Sequence, residues 1–415
     1  MALLVLAGCG TMDSLLLPGG TFSSGPSDVI PRYFHNASRL DDGRVVITGG
    51  LTARVIPPTL IPADTIATFN PATNRISAGI ETTAAAKGVS ANQISARLQI
   101  ARSSHTQTMI TRDRILVTGG NTRADNNQPG TPTATCEVID AQTGDVSFGP
   151  TMSETRVYHS ATPIAPTSAA MRVDVADGEA ASIAAERVLI AGGSSWQVFD
   201  AESELLTAPV PLARRRSRHA AVAIPGDDAS AGTRVLIIGG AEAGDTLEIL
   251  DPVARTSTLL DVRLPVGVFD LAAIRLAGGQ VLIFGGQRAG SGETTNQTAV
   301  FDPVGTTLIL LDPPPGLEDG MGDHRMVRVG RYVVAFGGEQ QIGKTDTELR
   351  KALVFDGDSM SWVNEIDMLH PHDDFPAVPL LDGRVLLIGG GTGVLGVEAP
   401  TAESEIFAPR FSDGG

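Results

Sequence analysis

One phrase returns seven times along this sequence and limits the possible folds more than any other feature: a run of β-branched residues and leucines closed by two glycines. The copies are Arg44-Val-Val-Ile-Thr-Gly49-Gly50, Arg114-Ile-Leu-Val-Thr-Gly119-Gly120, Arg187-Val-Leu-Ile-Ala-Gly192-Gly193, Arg234-Val-Leu-Ile-Ile-Gly239-Gly240, Gln280-Val-Leu-Ile-Phe-Gly285-Gly286, Arg331-Tyr-Val-Val-Ala-Phe-Gly337-Gly338 and Arg384-Val-Leu-Leu-Ile-Gly389-Gly390. Successive copies lie between 46 residues (Gly239 to Gly285) and 73 residues (Gly119 to Gly192) apart. Apolar residues follow one another without alternation in each run, so both faces of each strand must be buried. Two glycines at the end mark a sharp backbone turn, or an approach of neighbouring chain too close for a Cβ.

The flanks supply the remaining strands. Arg32-Tyr-Phe-His35, Arg102-Ser-Ser-His105, Arg156-Val-Tyr-His159 and Arg216-Ser-Arg-His219 each open an innermost strand, and segments such as Glu137-Val-Ile-Asp140 and Glu248-Ile-Leu-Asp251-Pro252 form third strands ending in turns. Fourth strands follow, one of them carrying Trp362. With 47 glycines, 26 prolines and only 4% aromatic residues, the composition is that of a turn-rich all-β chain. The expected fold is a seven-bladed β-propeller of four-stranded antiparallel blades spanning residues 20–415, behind an N-terminal segment 1–19. Blade seven runs out of chain after its third strand, Glu405-Ile406-Phe407, whereas Gly20-Thr21-Phe22-Ser23-Ser24-Gly25 has the pattern of an outer strand with no blade of its own. This N-terminal strand is expected to pair with Ser404 to Phe407 and close the ring.

The whole pattern resembles the kelch-repeat family, in its bacterial branch with a motif like R-x-x-H…L-x-D-G-R-V-L-x-x-G-G…E-x-F-D-P. Blades five and seven depart from it, with Val-Gly-Val-Phe-Asp270 and Pro371-His372-Asp373-Asp374 in place of Arg-x-x-His, and blade six keeps His324 without the arginine. Kelch relatives include a sialic-acid mutarotase and copper radical oxidases resembling galactose oxidase, whose site takes two tyrosines, two histidines and a cysteine linked to one tyrosine. Tyr158-His159 and Cys136 echo that set, but the second histidine and the terminal tyrosine have no counterpart. The start, Leu6-Ala7-Gly8-Cys9 after an apolar run, resembles the lipobox of bacterial lipoproteins, which implies lipidation of Cys9 and an envelope location.

A formal charge of -16 argues against nucleic acid as a partner, and a membrane is expected only through the N-terminal lipid. Residues repeated in every blade are poor catalytic candidates, because an active site fills each role once. His35, His105, His159 and His219 therefore read, with the fourteen glycines, as structural; no catalytic residue, metal or cofactor is assigned. Propellers carry binding on loops held by the rigid ring. The stretches after the diglycines are long in blades five, six, seven, one and two, which are neighbours in a closed ring, and they offer Arg54, Asn121, Arg123, Asn126, Gln287, Arg288, Glu339 and Gln340 as candidate binding residues. The resulting expectation is a monomeric, non-catalytic binding or scaffold module whose partner is a protein or polysaccharide of the cell envelope, with a carbohydrate-active or copper-dependent oxidase as the alternative.

Overall fold

The computed structural model describes residues 18–54, 59–81, 93–111, 113–122, 130–164, 186–226, 232–343, 345–394 and 397–411. Seven antiparallel four-stranded sheets stand around a central channel, each running from an innermost strand outwards. Blade one is Asn36–Arg39, Val45–Thr48, Ile66–Asn70 and Arg75–Ala78, and blade five is Ala272–Arg275, Val281–Phe284, Thr298–Asp302 and Thr307–Leu311. Blade three differs. With no insertion after Gly192-Gly193, its second and third strands merge into one, Arg187–Asp200, and the outer edge is shared by Leu205–Leu206 and Val210–Arg216.

The unbroken apolar runs are explained by what lies on each side of the second strands. Val46 of blade one packs with Met109, Ile115 and Ile139 of blade two. Its neighbours Val45 and Ile47 point the other way, onto Leu386, Ile388 and Ile406 of blade seven. The core is thus a series of seams between blades, and burying both faces of every sheet is what the hydrophobic effect rewards here.

The diglycines lie where one blade meets the next. Gly49 has φ +61°, and a Cβ there would stand 2.4 Å from the carbonyl oxygen of Arg102 in blade two. The amide of Gly50 donates to that same carbonyl at 2.9 Å. No larger residue fits without moving the neighbouring backbone.

The ring closes through its ends. Gly19–Ser24 pairs antiparallel with Ser404–Arg410, setting Phe22 opposite Phe407 and Gly20 opposite Pro409, so the N-terminal strand is the outer strand of blade seven. Phe22 also meets Phe336 of blade six edge-on, with ring centroids 6.2 Å apart, and the Asn364 side chain donates to Pro18 O at 3.0 Å. The seam is therefore covered by side chains as well as bridged by backbone.

Candidate functional site

Each Arg-x-x-His segment places two side chains in the fold's own packing. The arginine turns onto the diglycine of its own blade. Arg102 donates to Gly119 O at 2.6 Å and to Glu137 at 2.5 Å, and Arg216 to Gly239 O at 2.8 Å and to Glu248 at 2.9 Å, in both cases fully buried. In blade seven His372 takes that place, its Nδ1 lying 2.6 Å from Gly389 O, a substitution of role that the sequence pattern conceals. The histidine of the motif faces the preceding blade instead. His105 Nε2 is 2.9 Å from Thr48 Oγ1, and His159 Nε2 is 2.8 Å from Thr118 Oγ1. Burial, helped by the nearby arginines, holds these rings neutral: His105, His219 and His324 are pushed down to about 3, and His35 and His159 well below the ordinary value.

Between the two structural side chains sit two positions that the repeat leaves unrepeated, and the second of them forms a ring. Just before each histidine, or its Leu271 or Phe375 replacement, come Phe34, Ser104, Tyr158, Arg218, Asp270, Asp323 and Asp374. All seven have a left-handed backbone, with φ between +49° and +54°. Their backbones join head to tail from Asp374 round to Asp323. The amide of Phe34 donates to Asp374 O (3.0 Å), Ser104 to Phe34 O (2.9 Å), Arg218 to Tyr158 O (2.8 Å), Asp270 to Arg218 O (2.9 Å) and Asp323 to Asp270 O (3.1 Å). A left-handed conformation is uncommon for Phe, Tyr and Arg and costs on the order of 1–3 kcal/mol per residue. Tertiary structure imposes it here once per blade.

The side chains of this ring form one cluster at the mouth of the channel. Arg218 is ion-paired with Asp270, and its guanidinium lies over Tyr158 (5.3 Å to the centroid) and Phe269 (4.9 Å). Tyr158 meets the Phe34 ring edge-on at 5.8 Å. Gln287 donates to Asp323 at 3.3 Å and to Glu339. Burial, and then hydrogen bonding with Asp346, raise Glu339 to about 9. Asp270 stands well above the usual carboxylate range because it is buried and faces Asp323, and burial raises Asp323 as well against the pull of Arg218 and Arg325. At neutral pH Glu339 is thus a protonated carboxyl group, which both donates and accepts hydrogen bonds.

Hairpins grown from the loops after the diglycines wall this mouth. Leu51–Arg54 with Thr59–Pro62 (blade one), Glu339–Ile342 with Thr345–Glu348 (blade six), and Gly391–Val394 with Val397–Pro400 (blade seven) stand side by side. The blade-five loop joins them through the Thr294 amide, which donates to Gln341 O at 3.1 Å. Blade three has no such loop and blade four only the turn Ala241–Asp245, so the wall is open beside Tyr158 and Arg218. Of the residues named from sequence, Gln287 and Glu339 enter the cluster. Gln340 ties the hairpin to Gly320 O at 3.2 Å, Arg288 pairs with Val268, and Asn121 pairs with Ser103. Arg54 lies in a hairpin strand, while Cys9, Arg123 and Asn126 lie outside the described residues. The ring itself went unnamed in the sequence. The usable clue was variability at the two places between the Arg and the His of an otherwise repeated motif.

No protein-family model matches the chain, and no curated protein matches it in sequence. Among solved structures it is similar to a fungal alcohol oxidase of the AA5 family determined in complex with copper, at TM-score 0.62 and 16% identity over 95% of this chain and 76% of that one. At that identity the likeness is one of fold. The residues at the mouth do not fit a copper site of two tyrosines, two histidines and a tyrosine-linked cysteine. The motif histidines are packed between blades, His370 bonds Glu403 at 2.7 Å, and Tyr332 stacks on Phe411. Cys136 is buried in the seam between blades two and three, its thiol pushed up to about 12 by burial. Among the described residues no group of three or more His, Cys, Asp or Glu is arranged to hold a metal ion.

Proposed function

We propose that the chain is a non-catalytic binding module whose ligand seat is the walled mouth of the propeller, and that its ligand is a polyhydroxylated one, the sugar units of an envelope polysaccharide. One observation carries this reading: the position just before the motif histidine, left-handed in all seven blades, carries Phe, Ser, Tyr, Arg and three Asp, and several of these side chains meet in one cluster rather than in the seams. Packing alone rewards repetition, as the arginines and histidines beside it illustrate. Carboxyl groups, a glutamine amide and the Tyr158 and Ser104 hydroxyls suit the paired donors and acceptors of sugar hydroxyls, while the Phe34 and Tyr158 rings offer apolar faces to sugar C–H groups. The kelch resemblance and the Cys9 lipobox support display from a lipid anchor on a bacterial envelope.

The test is calorimetric titration of the full chain carrying Cys9→Ala with envelope polysaccharides and their oligosaccharides. Asp323→Asn and Arg218→Ala are each expected to weaken binding by about tenfold or more, the effect of removing a buried hydrogen-bonding group. Saccharide binding that both variants retain would sink the proposal. The second reading, an alcohol oxidase, rests on the shared fold and calls for stoichiometric copper uptake with peroxide release from alcohols or sugars.

A further inference from the structure

Each blade ends in an outer strand whose far edge carries unpaired backbone groups, a template for pairing with another chain unless something protects it. Most of the edges here are protected. The outer strand of blade four, Thr256–Arg263, carries Asp261 and Arg263; that of blade six, Ser361–Asp367, carries Glu365 and Asp367. Blade one has Arg75, blade two only three residues, blade three a broken edge, and blade seven Gly19 and Gly20. Blade five has none of these devices. Its outer strand is Thr307-Leu-Ile-Leu-Leu311, and no charge occurs from Val304 to Leu311.

The strand also presents apolar side chains outwards. Ile309 is 57% exposed, Leu310 58% and Val304 in the preceding turn 93%. They cannot turn in. Ile309 and Leu310 are held opposite Val300 and Ala299 by the ladder, and the adjoining Leu308 and Leu311 already pack into the seams with blades four and six.

We infer that two copies of the chain pair edge to edge through this strand, antiparallel and centred on Ile309. That register sets Leu308 opposite Leu310 and Thr307 opposite Leu311 of the other copy. Asp312 falls opposite Thr306, so no like charges meet. Charge also selects the occupant. A body of net charge -16 repels a second copy in general, and an edge without charge from Val304 to Leu311 adds nothing to that repulsion, whereas a basic partner would find no carboxylate in the strand to pair with. Pro313, Pro314 and Pro315 have no amide to donate and end the ladder, and a two-fold pair uses up the same edge on both copies, so assembly stops at the dimer.

Two short strands bury little surface compared with a standard interface, so the dimer should form at high micromolar concentration and dissociate on dilution. Sedimentation velocity of the full chain carrying Cys9→Ala tests this. Ile309→Lys and Leu310→Lys should each raise the midpoint concentration for dimerisation by about tenfold or more, while Phe148→Lys, at an exposed site on blade two, should leave it unchanged. Ile309→Cys should yield a disulfide-linked dimer on oxidation, since the two residues face each other across the two-fold, and Val253→Cys on blade four should not. These sites are solvent-exposed and leave the core intact, and circular dichroism of each variant checks the fold. A chain that is monomeric at the highest concentration, a dimer indifferent to Ile309→Lys, or equal cross-linking at positions 309 and 253 would each overturn the inference.

Discussion

The seams between blades rank the histidines in a way that mutation can check. His159 reaches a hydroxyl across its seam, at 2.8 Å from Thr118 and 3.2 Å from Thr106. His324 occupies the same place one seam from blade five, but there the residue before the diglycine is Phe284, and neither ring nitrogen of His324 has a hydrogen-bond partner although only 2% of the residue is exposed. A buried polar group left unpaired costs about 1–3 kcal/mol. His324→Leu removes that cost and adopts the side chain that blade five itself carries as Leu271, at the expense of an edge contact with Phe284 (5.0 Å) worth about 0.5–1.5 kcal/mol. A net gain of about 1 kcal/mol is expected, whereas His159→Leu forfeits its hydrogen bonds and should cost about 1–2 kcal/mol. The pH dependence gives a second check. The folded-state pKa of His324 is pushed down to about 3, below the unfolded value near 6.5, so as pH falls through that interval the unfolded chain takes up a proton that the folded chain does not. Wild type loses stability there by one proton more than the leucine variant, which keeps the other buried histidines, so the advantage of His324→Leu should grow by about 1.4 kcal/mol per pH unit below 6.5. Urea unfolding of both variants from pH 7.5 to 4.5 measures this. If His324→Leu costs as much as His159→Leu, or its effect does not change with pH, the account of the seams is wrong.

Three further outcomes are expected. Gly239→Ala and Gly330→Ala impose the same strain, since φ is +64° and +59°, but a Cβ at Gly239 would meet Val268 O at 2.6 Å and at Gly330 would meet nothing within 4 Å; the first should lower the urea midpoint clearly more than the second, and equal effects would refute close approach as the reason for the diglycine. Glu339, raised to about 9, favours the folded state at low pH and loses that contribution as pH rises from 4.5 through 9, so Glu339→Gln should stabilise at pH 8 and be nearly neutral at pH 4, the opposite trend counting against a buried protonated carboxyl. Deleting residues up to Gly25 removes the strand paired with Ser404–Arg410 and should lower the melting temperature of the whole ring, whereas deletion ending at Leu17 should leave it unchanged.

What was legible in the sequence follows from what the chain repeats. The seven apolar runs had no polar face to give to solvent, so stacked blades were the economical reading, and the stray Gly20–Gly25 strand had only one blade short of a partner. The hairpins of the wall were not read from the sequence, because Glu339–Ile342 and Thr345–Glu348 lack the apolar–polar alternation of a half-buried strand, and Gly343 between them was a turn signal that went unused. Nor were the seam partners. Thr48 and His105 are 57 residues apart, and nothing in either segment tells which His finds a hydroxyl and which meets Phe284.

The mouth was missed for a related reason, and it turns the usual logic of repeats around. A position that carries five residue types in seven copies looks like a tolerant one. Here the backbone is constrained instead, left-handed in all seven copies and joined by backbone hydrogen bonds from Asp374 round to Asp323, so sequence freedom at that point is freedom of the side chain alone. A rigid ring with unconstrained side chains lets a repeat protein build one asymmetric site from symmetric parts. Fold and site then depend on neighbouring residues without competing, because the Arg and His of the motif meet the packing requirements and the residue just before the His is released into the cluster.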